Sequence, residues 1–308
     1  MKKFLTLILI AALCLTLMLA VNAENADTSA FTVAAPSGAP ALALAALAAE
    51  NPENYNFVAA ETIAAEFSSA QADFIIAPLN AGARLYSLGK STYKLGGVVA
   101  WGNLFFASQK ENFTLSDING ATLTLFGENT INASIALYAL KENGIEPGNV
   151  EYLAGAANTQ SLLLTDPAAI VLTAEPALTA ARMKNDAIQS YSLNELYKNA
   201  TGNDGFAQAA LFIKAETIEK APEAVDAFLK LAAESASKCT EDPQAVAEAA
   251  VQLEILPNVK VALTALPNCA IRFVAAQEAR EQIETTANID LAQYGGAVPA
   301  DDFYYGEK

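Results

Sequence analysis

Histidine is absent from this 308-residue chain. That removes the Ser-His-Asp and Cys-His nucleophile arrangements and any His-containing zinc site, and leaves general acid–base work to carboxylates. What remains with chemical potential is a set of short loops rich in small and amide side chains. They are Ser37-Gly38-Ala39, Asn80-Ala81-Gly82, Gly127-Glu128-Asn129-Thr130 and Glu175-Pro176, each lying between an apolar run and a helical one. Small residues at a helix start leave backbone N–H groups open to an oxygen-rich or anionic partner, and the N-terminus adds about half a positive charge. Glu128 and Glu175 could accept hydrogen bonds from an amine at the other end of the same molecule. Trp101 and Phe105 could pack against a ring, with Asn103 beside them. Each residue also has an ordinary structural reading. Ser37-Gly38 serves as a turn, Asn129 or Thr130 as an N-cap, Glu175 as a first-turn acid and Trp101 as plain core. No metal or cofactor motif accompanies the loops.

Each of these loops follows a strand-like run and precedes a helix. Phe31–Ala34 leads to Ser37 and then to a helix opened by Pro40, a residue suited to a first helical turn. Asp73–Ala77 leads to Asn80 and a helix from Ala81. Ala121–Phe126 leads to Gly127 and a helix from Ile131 to Glu142, closed by Asn143-Gly144. Ala168–Thr173 leads to Glu175-Pro176 and a helix through Arg182. Between the second and third units, Leu95–Ser108 is apolar and β-prone, broken only at Gly102-Asn103, and is expected to be the crossing between two halves. A strand is expected at Val150–Leu153, a short helix at Thr159–Leu164 and a strand at Ala209–Ile213. The rest is expected to be mostly helical: Pro222–Lys238, Pro243–Leu253, Val259–Ala265 and Ala275–Thr285. Alternating strands and helices predict an α/β fold with parallel sheets, in which ligands sit beyond the carboxyl ends of strands.

The bulk properties bound the setting. Lys2 and Lys3, an apolar run from Phe4 to Ala20, and Val21-Asn22-Ala23 form the pattern of a cleaved secretory signal over residues 1–23, with an uncleaved membrane anchor as the rival reading. Leu13 stands before Cys14 where a lipid-attachment signal wants a small residue, so no lipid anchor is expected there. A hydrophobic content of 53% allows a sizeable core, and a net charge of −16 makes nucleic acid a poor partner. Past the leader only Cys239 and Cys269 remain. In an oxidising compartment they are expected to form one disulfide, the alternative being two separately buried thiols.

Ala35-Pro36-Ser37-Gly38, Ala72–Pro78 and Asp117–Thr122, in that order, resemble segments of type II periplasmic binding proteins. The nearest class is the nitrate, sulfonate, taurine and thiamine-precursor binders of ABC transporters. Glu175-Pro176, Ala221–Leu229 and Pro299–Tyr305 are similar to further segments of that class, so the likeness spans nearly all of residues 30–305. It implies a two-lobed type II periplasmic-binding fold with a hinge and an interlobe cleft. The first lobe would comprise residues 24–102 with 206–308 and the second 103–205, with hinges near Trp101–Asn103 and Asn203–Phe206. The resemblance further implies an exported, periplasmic or cell-surface monomer without enzymatic activity or cofactor. It would hand a small organic solute to an ABC permease and touch the membrane only through that transporter or an uncleaved signal. Two other readings stand at this stage: an enzyme on the same fold, similar to those of menaquinone synthesis, and a surface protein with no cleft. The loops carry no arginine or lysine clamp, so a multiply charged anion is a poor ligand.

Overall fold

The computed structural model describes residues 27–306; the signal-like segment 1–23 and Cys14 lie outside the described residues. The chain lays down β1 (Val33–Pro36), β2 (Tyr55–Val58), β3 (Phe74–Pro78) and β4 (Tyr93–Ala100) in one sheet. It then passes to a second sheet and forms β5 (Leu104–Ser108), β6 (Thr122–Phe126), β7 (Asn149–Leu153), β8 (Ile170–Ala174) and β9 (Gln189–Ser192) there. It returns to add β10 (Ala209–Lys214) and β11 (Ile271–Ala275) to the first. The six-stranded sheet is ordered β11-β4-β10-β3-β1-β2 and the five-stranded sheet β7-β6-β8-β5-β9. β2, β1 and β3 run parallel, as do β7, β6 and β8, while β10 and β5 enter antiparallel to β3 and β8. The outgoing passage, Trp101–Asn103, lies directly between β4 and β5.

Helices connect and cover these strands. They are α1 (Ala45–Ala48), α2 (Ala64–Ser69), α3 (Leu79–Ser87), α4 (Ile131–Glu142), α5 (Ala156–Thr165) and α6 (Ala177–Arg182). Then follow α7 (Leu193–Thr201), α8 (Ala215–Lys220), α9 (Pro222–Glu241), α10 (Pro243–Gln252), α11 (Val259–Ala265) and α12 (Arg280–Ile289). The central strands are apolar on both faces because helices cover both, as in parallel sheets generally; β3 buries Phe74, Ile75, Ile76 and Ala77 completely. In α9 the buried residues Ala224, Val225, Phe228, Ala232, Ser235, Ala236 and Cys239 recur at helical spacing, which turns one stripe toward the six-stranded sheet. α4 stops as its sequence dictates. Gly144 takes φ 71°, its N–H donates to Lys141 O, and Ile145 N–H donates back to Leu140 O. This closes the last turn's free carbonyls. α12 packs against α4, and Ser134 of α4 donates to the Asp290 carboxylate at 2.6 Å, so the C-terminal segment braces the second sheet's helices as well.

The expected Cys239–Cys269 disulfide is not formed: both thiols are free and buried. They share one apolar cluster, yet each is held separately, Cys239 Sγ donating to Leu42 O at 3.5 Å and Cys269 Sγ to Ala265 O at 3.3 Å. Burial pushes the Cys239 thiol up to about 12 and Cys269 well above its ordinary value, so neither supplies thiolate. They behave as small apolar packing residues, the second of the two readings above.

Candidate functional site

A cavity of about 480 Å³ opens where the carboxyl ends of the parallel strands of both sheets meet. Ser37, Gly38 and Ala39 follow β1; Asn80 and Ala81 follow β3; Thr130, Ile131 and Asn132 follow β6; Glu175, Pro176 and Ala177 follow β8. Ala156 adds the start of α5, Asn103 and Gln208 come from the two passages between sheets, and Gln293 comes from the segment after α12. Apolar wall is supplied by Ala60, Ile63, Phe126, Ala174 and Ala209, together with the prolines of the strand ends. Among the described residues no lysine or arginine lines it, and Glu175 is its one ionisable residue.

Local geometry explains the open helix starts. The Thr130 hydroxyl does not cap α4; it turns back and donates to Gly127 O at 2.6 Å. α3 and α5 likewise begin without a side-chain cap, behind Pro78 and Gly155. The first-turn N–H groups of a helix have no partner inside it; that of Leu79 is taken by Gln208 O at 3.0 Å, and the starts at Asn80, Ile131 and Ala156 line the cavity.

Glu175 is 3% exposed. Its carboxylate accepts from Thr179 N–H at 3.0 Å, from the Thr179 hydroxyl at 2.9 Å and from the Asn268 amide at 3.4 Å. Burial pushes the carboxyl above its ordinary value, and the Thr179 and Asn268 bonds and the nearby Arg182 charge oppose that rise. Glu175 therefore closes the start of α6 as well as lining the cavity. Asn103 is tied to it in both directions. Glu175 N–H donates to Asn103 O at 3.0 Å, and Asn103 Nδ2 donates to Glu175 O at 2.9 Å. Asn103 N–H donates to Gln208 Oε1 at 3.1 Å. Opposite, Gln293 Nε2 donates to Asn129 O at 2.8 Å, joining the C-terminal segment to the loop after β6.

Residues 100–246 match the family described as NMT1/THI5 like. No curated protein sequence matches the chain. A crystal structure described as an ABC transporter from Parabacteroides distasonis superposes with a TM-score of 0.78 at 21% identity, over 90% of this chain and 99% of that one. The periplasmic aliphatic sulphonate binding protein of Escherichia coli gives 0.67 at 14% identity, over 90% and 92%. A Candida albicans protein described as having the generic periplasmic binding protein fold gives 0.56 at 10% identity, over 89% and 92%. The chain has the periplasmic-binding-protein fold.

Within that fold, Ser37, Gly38, Ala39, Asn80, Ala81, Asn103, Thr130 and Glu175 come together around the cavity. The other residues singled out in the sequence lie elsewhere. Gly82 packs instead against the Phe212 ring, which a Cβ at that position would overlap. Trp101 is fully buried, donates from its indole N–H to Arg272 O at 3.1 Å and carries the Arg272 guanidinium 4.3 Å from its ring centre. It holds the passage between sheets and is no wall for a ligand. Phe105 packs with the apolar cluster of Leu163, Val171 and Leu178. Gly127 and Asn129 form the left-handed turn after β6, φ 71° and 57°, while Glu128 points to solvent. Among the described residues no group of His, Cys, Asp and Glu is gathered for a metal, and no helix is long and apolar enough to cross a membrane.

The amides Asn132, Gln208 and Gln293 and the helix-start residue Ala156 also line the wall without having been singled out in the sequence. Asn132 could have been found by carrying the Thr130 loop one turn into its helix. Ala156 could have been found by treating Gly155-Ala156 as a fifth strand-to-helix loop. Gln208 and Gln293 are isolated amides at element ends and carry no local signal.

Proposed function

We propose that this chain is an extracytoplasmic solute-binding protein of an ABC importer. It captures one small organic solute between two lobes, residues 24–102 with 206–308 and residues 103–205, and presents the closed form to a permease. The observation that carries this reading is the cavity itself, with wall residues drawn from the strand ends of both sheets and from both passages between them. Its volume falls in the range of small-molecule sites. A solute that touches both sides favours the closed arrangement by its differential contacts, and a partner that reads closure can then respond. The signal-like residues 2–23 support export, with the mature chain starting near Glu24. The protein acts as a monomer and does not transform its solute. A wall with no basic side chain suits a neutral, zwitterionic or singly charged solute and disfavours phosphate.

Isothermal calorimetry against a broad metabolite library, with NMR of each bound solute afterwards, tests the proposal. One solute bound per chain and recovered unchanged is the expected result. Conversion of the solute would make the protein an enzyme, and failure of the whole library to bind would remove the transport role.

A further inference from the structure

Resting on that reading, we infer that Gln208 selects the solute, donating from its side-chain amide to a carbonyl-type oxygen. The residue stands in the return passage, one position before β10, and every polar group it has but one is committed. Its backbone N–H donates to Ala100 O at 3.0 Å, and its backbone oxygen accepts from Leu79 N–H at 3.0 Å. Its side-chain Oε1 accepts from Asn103 N–H at 3.1 Å, which ties the return passage to the outgoing one. That bond also fixes which way the amide faces, because turning it over would set its NH2 against a backbone N–H. The group left over is Nε2, which has no partner among the described residues. Unlike the side-chain oxygens of Asn80, Asn103 and Asn132, it is not closed to solvent. Gln208 is half-buried and lines the cavity, while Phe206, Ala207 and Ala209 beside it are buried, so the surface it keeps belongs to the cavity wall.

The rest of the wall sets what this donor takes. Among the described residues its one ionisable group is the Glu175 carboxyl, which disfavours an anionic partner and leaves a neutral oxygen as the fitting acceptor. Gln293 is set the opposite way. Its Nε2 donates to Asn129 O at 2.8 Å, so this amide too is fixed by a backbone group, and its Oε1 is the end without a partner among the described residues. One fixed donor and one fixed acceptor, drawn from different segments of the wall, give the cavity a polarity. The ligand class is a small molecule with a carbonyl oxygen at one end, held by Gln208, and an N–H or O–H donor at the other. A solute that meets Nε2 with a donor loses the bond and leaves the amide unpaired, so the discrimination exceeds the worth of the bond alone.

Calorimetry with acetophenone and benzylamine, which share a ring and carry an acceptor or a donor head, tests this on wild type and Gln208→Glu. The substitution keeps the shape and an oxygen for Asn103 N–H, and removes only the donor. Acetophenone is expected to bind at least about tenfold more weakly to the variant, and benzylamine at least as tightly as to wild type. A residue that merely ties the two passages together would leave both affinities where they were, or weaken both alike, and either result would overturn the assignment to Gln208 while leaving solute capture intact. If the variant fails to fold, NMR of the wild-type Gln208 side-chain NH2 decides: acetophenone should shift its signals, and unmoved signals would overturn the assignment. Absence of acetophenone binding at millimolar concentration would overturn it as well; capture itself then stands or falls on the metabolite library.

Discussion

Glu175 and Asn103 form the best-defined polar pair of the cleft, and their bonding makes the pH response of the site calculable in sign. Burial raises the Glu175 carboxyl above its ordinary 4.5. A group that holds its proton more tightly when folded contributes stability that is fully present below the ordinary value and lost as pH rises through the raised one. Gln at this position keeps an acceptor for Thr179 N–H without the charge. The melting temperature of Glu175→Gln, relative to wild type, is therefore expected to climb as pH is raised from about 4 toward neutrality and then to level off. A difference that does not change with pH would contradict the assignment. The two core thiols give a second residue-scale expectation. Native protein treated with iodoacetamide should show neither Cys239 nor Cys269 modified by peptide mapping, and both modified after unfolding without reductant. A disulfide-linked peptide would contradict the free-thiol geometry. Asn103 and Glu175 were legible in the sequence because they stand at strand ends. Trp101, the first residue of the outgoing passage, was not separable from them, since an aromatic there packs as well against a core as against a ligand.

At the level of elements, the strand-to-helix units were legible because their strands are buried on both faces and read as uninterrupted apolar runs, as in β3 and β10. The strands that the sequence concealed are β2, β9 and β11, and all three are sheet edges. An edge strand is short and half solvated; Gln189–Ser192 has a single aromatic, Tyr191, among polar residues, and Ile271–Ala275 is interrupted by an arginine. Gly82 shows how packing overrides a local reading. It looks like a small residue left for a ligand, but its place in α3 is set by Phe212, whose ring is fully buried and pinned edge-on by Phe67 at 5.1 Å. Alanine is the better helix former by ~1 kcal/mol, yet a Cβ here must displace a ring with nowhere to go, and overpacking of this kind costs about 1–3 kcal/mol. Urea unfolding of Gly82→Ala should show a net loss of up to about 2 kcal/mol, with part recovered in the double variant Gly82→Ala/Phe212→Leu. An unchanged midpoint would mean that the ring yields freely.

For the whole molecule, the proposed role of the two sheets is to enclose one small solute. The cleft was legible as a set of loops in a family-like order. Its polar detail was not, because Gln208 and Gln293 reach it only through the return passage and the C-terminal segment, which no local pattern announces. The net charge of −16 over the chain opposes self-association, while among the described residues the wall itself carries one carboxylate, that of Glu175. The most direct test is native mass spectrometry of protein purified gently from its host, beside an Ala156→Trp variant whose indole would fill the cavity. One solute-sized mass increment per chain is expected in the wild type, released on unfolding, and none in the variant. The same increment on both proteins would place the solute outside the cleft and contradict solute capture there.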